Sequence, residues 1–130
     1  MKILGRTQML SQYSLIDSLS IIKALGFDGV EICLERQDWS LLDLDSLPVD
    51  AIRERVVEYN LAPHSFSLHQ DYIYNDELLE MTKAAIRMTP TLGTNIFVFG
   101  GARKRTGDKH EWQRMVDRTY LYGEAGLTCI

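Results

Sequence analysis

The chain has 130 residues, with 14 Lys and Arg against 18 Asp and Glu, a formal net charge of −4. At 45% hydrophobic and 25% charged residues, it is too apolar for a disordered chain and long enough for one domain, residues 1–130. No stretch concentrates enough Lys and Arg to release many counterions from a phosphate backbone, which disfavours nucleic acid as a partner. The one basic knot, Arg103, Lys104 and Arg105 with Lys109 nearby, lies beside two glycines and reads as a solvated loop. No apolar run approaches the ~20 residues of a bilayer span, and residues 1–10 lack the apolar core and cleavage site of a signal peptide. Cys33 and Cys129 stand far apart, in neither a CxxC nor a Cys/His metal spacing. They read as reduced, buried thiols of a cytoplasmic protein.

In chain order, Lys2 to Met9 is the first strand candidate. Ser14 and Asp17 form a capping box for a helix with Leu15, Leu19, Ile22 and Leu25 on one stripe. Gly26 ends it, and Gly29 to Glu35 forms the second strand. Pro48 suits the first turn of a second helix, with Val49, Ile52, Val56 and Tyr59 on one face. Asn60 closes that helix, and Pro63 to His69 forms the third strand. Asn75 caps a third helix, whose Asp76 and Glu77 favour the positive end of the helix dipole and which Pro90 stops. After Gly93 comes a fourth strand, Asn95 to Phe99. A fourth helix covers about Lys109 to Glu124, with Trp112, Met115, Tyr120 and Leu121 as core candidates. Gly126 then precedes a truncated fifth strand, Leu127 to Ile130.

The four closing residues Gly26, Asn60, Gly93 and Gly126 are spaced 34, 33 and 33 residues apart. Strand and helix alternating at that period is the signature of βα units on a parallel sheet. A doubly wound sheet wants a Gly-rich phosphate turn after an early strand, and none is present. Eight such units make about 264 residues, close to the usual size of a (β/α)8 TIM barrel. The fold class is therefore α/β, a half barrel running from β1-α1 to β5, with strand order 1-2-3-4 and helices on the outer face.

Period-two alternation assigns the chemistry. In the second strand Val30, Ile32 and Leu34 form the apolar set, leaving Glu31, Cys33 and Glu35 inward. In the third, Phe66 and Leu68 leave Ser65, Ser67 and His69 inward. Phe97 and Phe99 are expected on the inner face, by the parity that points Gly101 inward. Active sites of barrels lie at the C-terminal strand ends, where Glu35, His69, Gly100 and Gly101 fall. Each position has a structural reading as well. Glu31 could bond a neighbouring strand, and Glu35 beside Arg36 reads more readily as a solvated loop charge. His69 could cap a loop, and Gly100-Gly101 could be only a tight turn. His64, of opposite parity, reads as structural, His110 as exposed, and Trp39 as core or rim with a place beside a sugar pocket open to it.

The stretch Ser18 to Leu34, with the core Ala24-Leu-Gly-Phe-Asp-Gly-Val-Glu-Ile32, resembles the first helix and second strand of xylose-isomerase-like barrels. The likeness continues through Ser65 to His69, Ile96 to Gly101 and Gly123 to Thr128. It implies the N-terminal part of a metal-dependent sugar (phosphate) isomerase or epimerase acting on a polyhydroxylated carbonyl compound. In that chemistry a metal polarises the carbonyl while a carboxylate moves the α-proton. Glu31, His69, Gly100 and Gly101 would then bind substrate hydroxyls. The family holds a divalent ion (Mn, Mg, Co or Zn) through ligands of its later strands, beyond a segment like Gly126 to Ile130, so no metal is expected to bind this chain tightly. On that basis the chain is expected to be inactive by itself. A non-catalytic binding module is the alternative. An abasic-site nuclease is weaker still, because Gly100-Gly101 stands where its second histidine would be. The open strand edges of a half barrel lead to a further expectation: a homodimer that rebuilds a barrel, or association with a C-terminal half.

Overall fold

The computed structural model describes residues 1–62, 64–100 and 106–127. Four short strands, β1 (Leu4–Arg6), β2 (Gly29–Cys33), β3 (His64–Leu68) and β4 (Phe97–Phe99), form one sheet in the order β1-β2-β3-β4. Every pairing is parallel. Between them run α1 (Leu15–Ala24), α2 (Val49–Glu58) and α3 (Asp76–Met88), and α4 (Lys109–Leu127) follows β4. The first four of the five expected strands are observed, all parallel, in the expected order 1-2-3-4 and with α-helical crossovers.

Local signals account for the helix ends. The Ser14 hydroxyl accepts from the Asp17 amide at 3.0 Å, capping α1, and donates to the Asp17 carboxylate at 2.7 Å. The Asn75 side chain accepts from the Leu78 amide and starts α3. Pro90 converts the end of α3 into a 3-10 turn, Thr89–Leu92. Gly26, Asn60 and Gly93 all adopt positive φ, at 83°, 51° and 81°, as chain reversal into the next strand requires. The fourth closing signal behaves differently. Gly126 lies inside α4, which continues through Leu127, so the expected fifth strand does not begin there. The remaining residues expected for it, Thr128 to Ile130, and with them Cys129, lie outside the described residues.

Helices α1, α2 and α3 cover the same face of the sheet. Val30, Ile32, Leu34, Phe66 and Leu68 are buried there with Leu19 and Ile22 of α1, Ile52 and Val56 of α2 and Ala85 of α3. Removing these side chains from water is the main driving force for docking the helices. Gly5 of β1 belongs to this face: a Cβ there would meet Ile22 at 2.9 Å, so α1 can approach only a strand without a side chain at that point.

Register corrects one expectation on β4. Phe97 pairs beside Phe66 and Phe99 beside Leu68, so both aromatics share the helix-facing side, not the inner one. Phe97 meets Phe66 edge-on at 5.8 Å, and Phe99 meets Tyr122 of α4 at 5.1 Å. A one-residue change in parity moves a whole strand's side chains across the sheet.

Helix α4 also differs from expectation. Met115 and Leu121 do pack against the core, but Trp112 and Tyr120 are exposed, and the buried positions are Glu111, Arg118, Tyr122 and Ala125. Arg118 is buried because it is satisfied: Nη1 donates to the carbonyls of Tyr72 (2.7 Å) and Asn75 (3.3 Å), and Nη2 pairs with Asp76. Leu25, expected on the α1 stripe, lies past the helix end and is exposed.

Candidate functional site

The side chains that point away from the helices converge at the C-terminal ends of β1, β2 and β3. Arg6 pairs in register with Glu31, Glu31 with Ser65, and Cys33 with Ser67. Two residues further along each chain segment, just past the strand ends, Glu35 and His69 meet. His69 Nδ1 lies 2.7 Å from Glu35 Oε1, and the His69 amide donates to Glu35 Oε2 at 3.2 Å. On its other side, His69 Nε2 lies 3.6 Å from Glu31 Oε1. Arg6 binds both acids, donating from Nε to Glu31 (3.1 Å) and from Nη2 to Glu35 (3.5 Å), and Nη2 also lies 3.2 Å from His69 Nδ1. A cationic guanidinium thus holds two carboxylates and an imidazole in one cluster.

Burial grades the cluster. The Glu35 side chain is fully enclosed, whereas Glu31, His69 and Arg6 keep 18%, 26% and 39% of their side-chain surfaces open. The enclosed carboxylate orients the imidazole, and the three partly open groups face solvent. The expectation of a solvated loop charge at Glu35 is therefore overturned, because the Arg6 and His69 bonds offset the cost of burying its charge. Glu31 is indeed bonded to a neighbouring strand, through Arg6. Arg6 itself was not singled out in the sequence. The available signal was parity: Gly5 must face α1, so Arg6 must face Glu31.

The remaining candidates fall around this cluster. Gly100 follows β4 directly beside His69; a Cβ there would sit 3.3 Å from the His69 Cα, so its lack of a side chain leaves room for the imidazole-bearing backbone. Gly101 lies outside the described residues, as do Arg103, Lys104 and Arg105. Trp39, in the loop after β2, is half exposed at a φ of 67°, a conformation that a bulky residue seldom adopts. Its carbonyl accepts from the side chain of Gln70, the residue after His69, at 2.8 Å. His64 bonds the Leu92 carbonyl at 3.1 Å in the structural role expected of it, and His110 is exposed.

One cavity borders the cluster and a second lies apart from it. The first, about 210 Å³, opens beside the 3-10 turn Thr7–Leu10, with Cys33, Glu35 and Arg36 in its wall. Burial pushes the Cys33 thiol up, so it remains protonated at neutral pH. A larger cavity, about 530 Å³, lies between Ile73 and the first turns of α4, and none of Arg6, Glu31, Glu35 and His69 lines it.

The cluster does not fit a metal ion. Among the described residues, no three His, Cys, Asp or Glu side chains are arranged to hold one. Glu31, Glu35 and His69 do converge, but the Arg6 guanidinium already supplies the positive charge at their centre. Nor, among the described residues, is any helix long and apolar enough to cross a membrane.

Comparison with known proteins places the architecture. The solved structure of a D-allulose 3-epimerase from Methylomonas sp. superposes with a TM-score of 0.67 at 18% sequence identity. The match covers 99% of this chain and 49% of that one, so this chain spans about half the length of that enzyme. No curated protein sequence matches. The family model described as xylose isomerase-like TIM barrel matches residues 19–121, which include Glu31, Glu35, His69 and Gly100. A four-stranded all-parallel sheet with its polar side chains gathered at the C-terminal strand ends is what such a barrel requires of its first half, and this chain belongs to the xylose isomerase-like TIM barrel family.

Proposed function

We propose that this chain is the substrate-facing, N-terminal part of a sugar isomerase or epimerase, in which Glu31, His69 and the Gly100-Gly101 turn bind substrate hydroxyls. The observation that carries this reading is the convergence of Arg6, Glu31, Glu35 and His69 at the strand ends where barrels of this kind hold their ligands. A sugar hydroxyl both donates and accepts. The cluster offers carboxylate acceptors, guanidinium donors and an imidazole within one hydroxyl pair's reach. Two carboxylates against one guanidinium leave no surplus positive charge for a phosphate ester, so the unphosphorylated sugar is the preferred ligand. Trp39 would offer an apolar edge to the pocket.

The chain by itself is a binder and not a catalyst, because the acids of this cluster are engaged by Arg6 and the ligands for a metal must be sought outside it. A non-catalytic binding module is the second reading, favoured by the same guanidinium. Imidazole NMR of His69 tests both. Titration with D-fructose is expected to shift the His69 ring signals, and the equivalent phosphate ester is expected to shift them less. Glu31→Ala should abolish the response. No response to any ketose would overturn the sugar reading, and ketose turnover by this chain with added manganese would overturn its inactivity.

A further inference from the structure

The chain leaves β2 through a small hairpin that grows out of the candidate site. Glu35 bridges Leu41 in antiparallel fashion, and the Leu42 amide donates to the Leu34 carbonyl at 2.9 Å. At the tip, the Trp39 amide donates to the Arg36 carbonyl at 3.0 Å and the Arg36 amide to the Ser40 carbonyl at 2.8 Å. That pattern leaves Gln37, Asp38 and Trp39 as a three-residue loop whose last residue takes the left-handed region, at φ 67°. Turn chemistry gives such a position to Gly or Asn, because a Cβ crowds the backbone there. This chain follows that rule elsewhere: among the described residues, the other positions of positive φ hold Gly26, Asn60, Gly93 and Gly107. Only here does a bulky side chain break it, with 49% of the residue exposed.

The strained turn is held from several sides. Arg36 Nη2 donates to the Ser11 carbonyl and the Gln37 amide to the Ser11 hydroxyl at 2.8 Å, which ties the hairpin to the β1–α1 connection. Asp38 Oδ1 accepts from the Ser40 amide at 3.0 Å and from its hydroxyl at 2.6 Å. Gln70 donates to the Trp39 carbonyl at 2.8 Å. The hairpin starts at Glu35, whose carboxylate holds His69, and its tip is bonded to the residue after His69. Trp39 is thus fixed at the rim of the cluster. Strained residues persist only where their surroundings fix them, and they collect at ligand sites. A half-exposed indole gains less from burial than a core tryptophan, so packing alone does not account for it.

We propose that Trp39 is a specificity-determining platform, its indole stacking on the C–H face of a sugar ring while Arg6, Glu31 and His69 bond the hydroxyls at the ring's edge. The inference rests on the sugar-binding reading above and narrows its ligand to a cyclic sugar. The indole face is the negative side of an aromatic quadrupole and attracts weakly positive C–H hydrogens. A ring gathers those hydrogens on one side; an open-chain polyol does not. Fixing the platform before the ligand arrives reduces the ordering that binding would otherwise cost. Stability and affinity therefore pull in opposite directions at residue 39.

Trp39→Asn and Trp39→Gly are expected to raise the urea midpoint of unfolding, yet to weaken D-fructose binding about tenfold as read from the His69 ring signals. Trp39→Phe, which keeps an aromatic face, should hold binding within about threefold of the wild type. The wild type should bind D-fructose about tenfold more tightly than sorbitol, an acyclic polyol, and Trp39→Asn should lose that preference. In Trp112→Phe the chain keeps one indole, and D-fructose should change its emission. A fall in both stability and affinity would make Trp39 a packing residue and overturn the proposal. An unchanged D-fructose midpoint in Trp39→Asn, equal affinity for sorbitol, or an unmoved emission would overturn it too. Each of these leaves sugar binding at the cluster standing, because the wild-type His69 signals still respond to D-fructose. Wild-type signals that respond to no ketose remove both.

Discussion

Two arginines organise this molecule, and their surroundings separate architecture from chemistry. Arg118 of α4 is buried against the main chain, donating to the carbonyls of Tyr72 and Asn75 and pairing with Asp76. Arg6 of β1 donates to no main-chain atom among the described residues; its partners are Glu31, Glu35 and His69. An arginine spent on carbonyls fixes a loop, here the connection from β3 to α3, and leaves nothing for a ligand. An arginine spent on side chains at a strand end holds groups that are themselves able to bind one. The same side-chain chemistry serves as a staple in one place and as the centre of a candidate site in the other.

Removing Arg118 in one place and the Glu35 partner of Arg6 in the other should expose that difference. Arg118→Ala should have the largest effect on stability, about 3 kcal/mol, because it leaves buried carbonyls without donors. Urea unfolding measures the loss, and the His69 ring signals of the folded fraction should not move. A loss below the error of the measurement would show that water replaces the guanidinium. Glu35→Gln should cost less, about 2 kcal/mol, since the amide keeps one acceptor for the His69 backbone but loses the charge that pairs with Arg6. Here the His69 ring signals must shift; unchanged signals would mean that Glu35 does not orient the imidazole.

The smallest effect concerns Asp76. Its hydrogen bond to Arg118, and then that residue's charge, hold its carboxyl below the usual carboxylate range. A depressed native pKa contributes stability above the unfolded value, ~3.9, that is lost as pH falls through the native one. Melting temperatures of the wild type and Asp76→Asn should therefore differ near neutral pH and converge in acid. Because the Asp76 side chain is 80% exposed, added salt should narrow the gap. A gap that widens in acid would reverse the assignment.

Chain order, helix caps and the parallel sheet were legible before any coordinates, because they rest on local signals. Ser14 and Asn75 cap helices wherever they stand next to an apolar stripe, and Gly26, Asn60 and Gly93 turn the chain at a fixed period. Parity along β2 and β3 placed Glu31 and His69 on the polar face for the same reason: alternation is a property of the strand itself. The inward placement of Phe97 and Phe99 failed because β4 has three residues and its parity is set by pairing with β3. The α4 core was misjudged because Arg118 and Glu111 are buried through partners that lie far away in sequence or in the preceding loop, Asp76 and Thr106.

The sequence by itself determined the βα order, the strand order and the two faces of the central strands, since each follows from contacts within a few residues or from a repeat. Only the tertiary structure decided that Glu35 is enclosed and that Arg6 stands at the centre of the cluster. Residues 6, 31, 35 and 69 come from three separate βα units, and the fate of a charge depends on which opposite charge the fold brings within hydrogen-bonding distance.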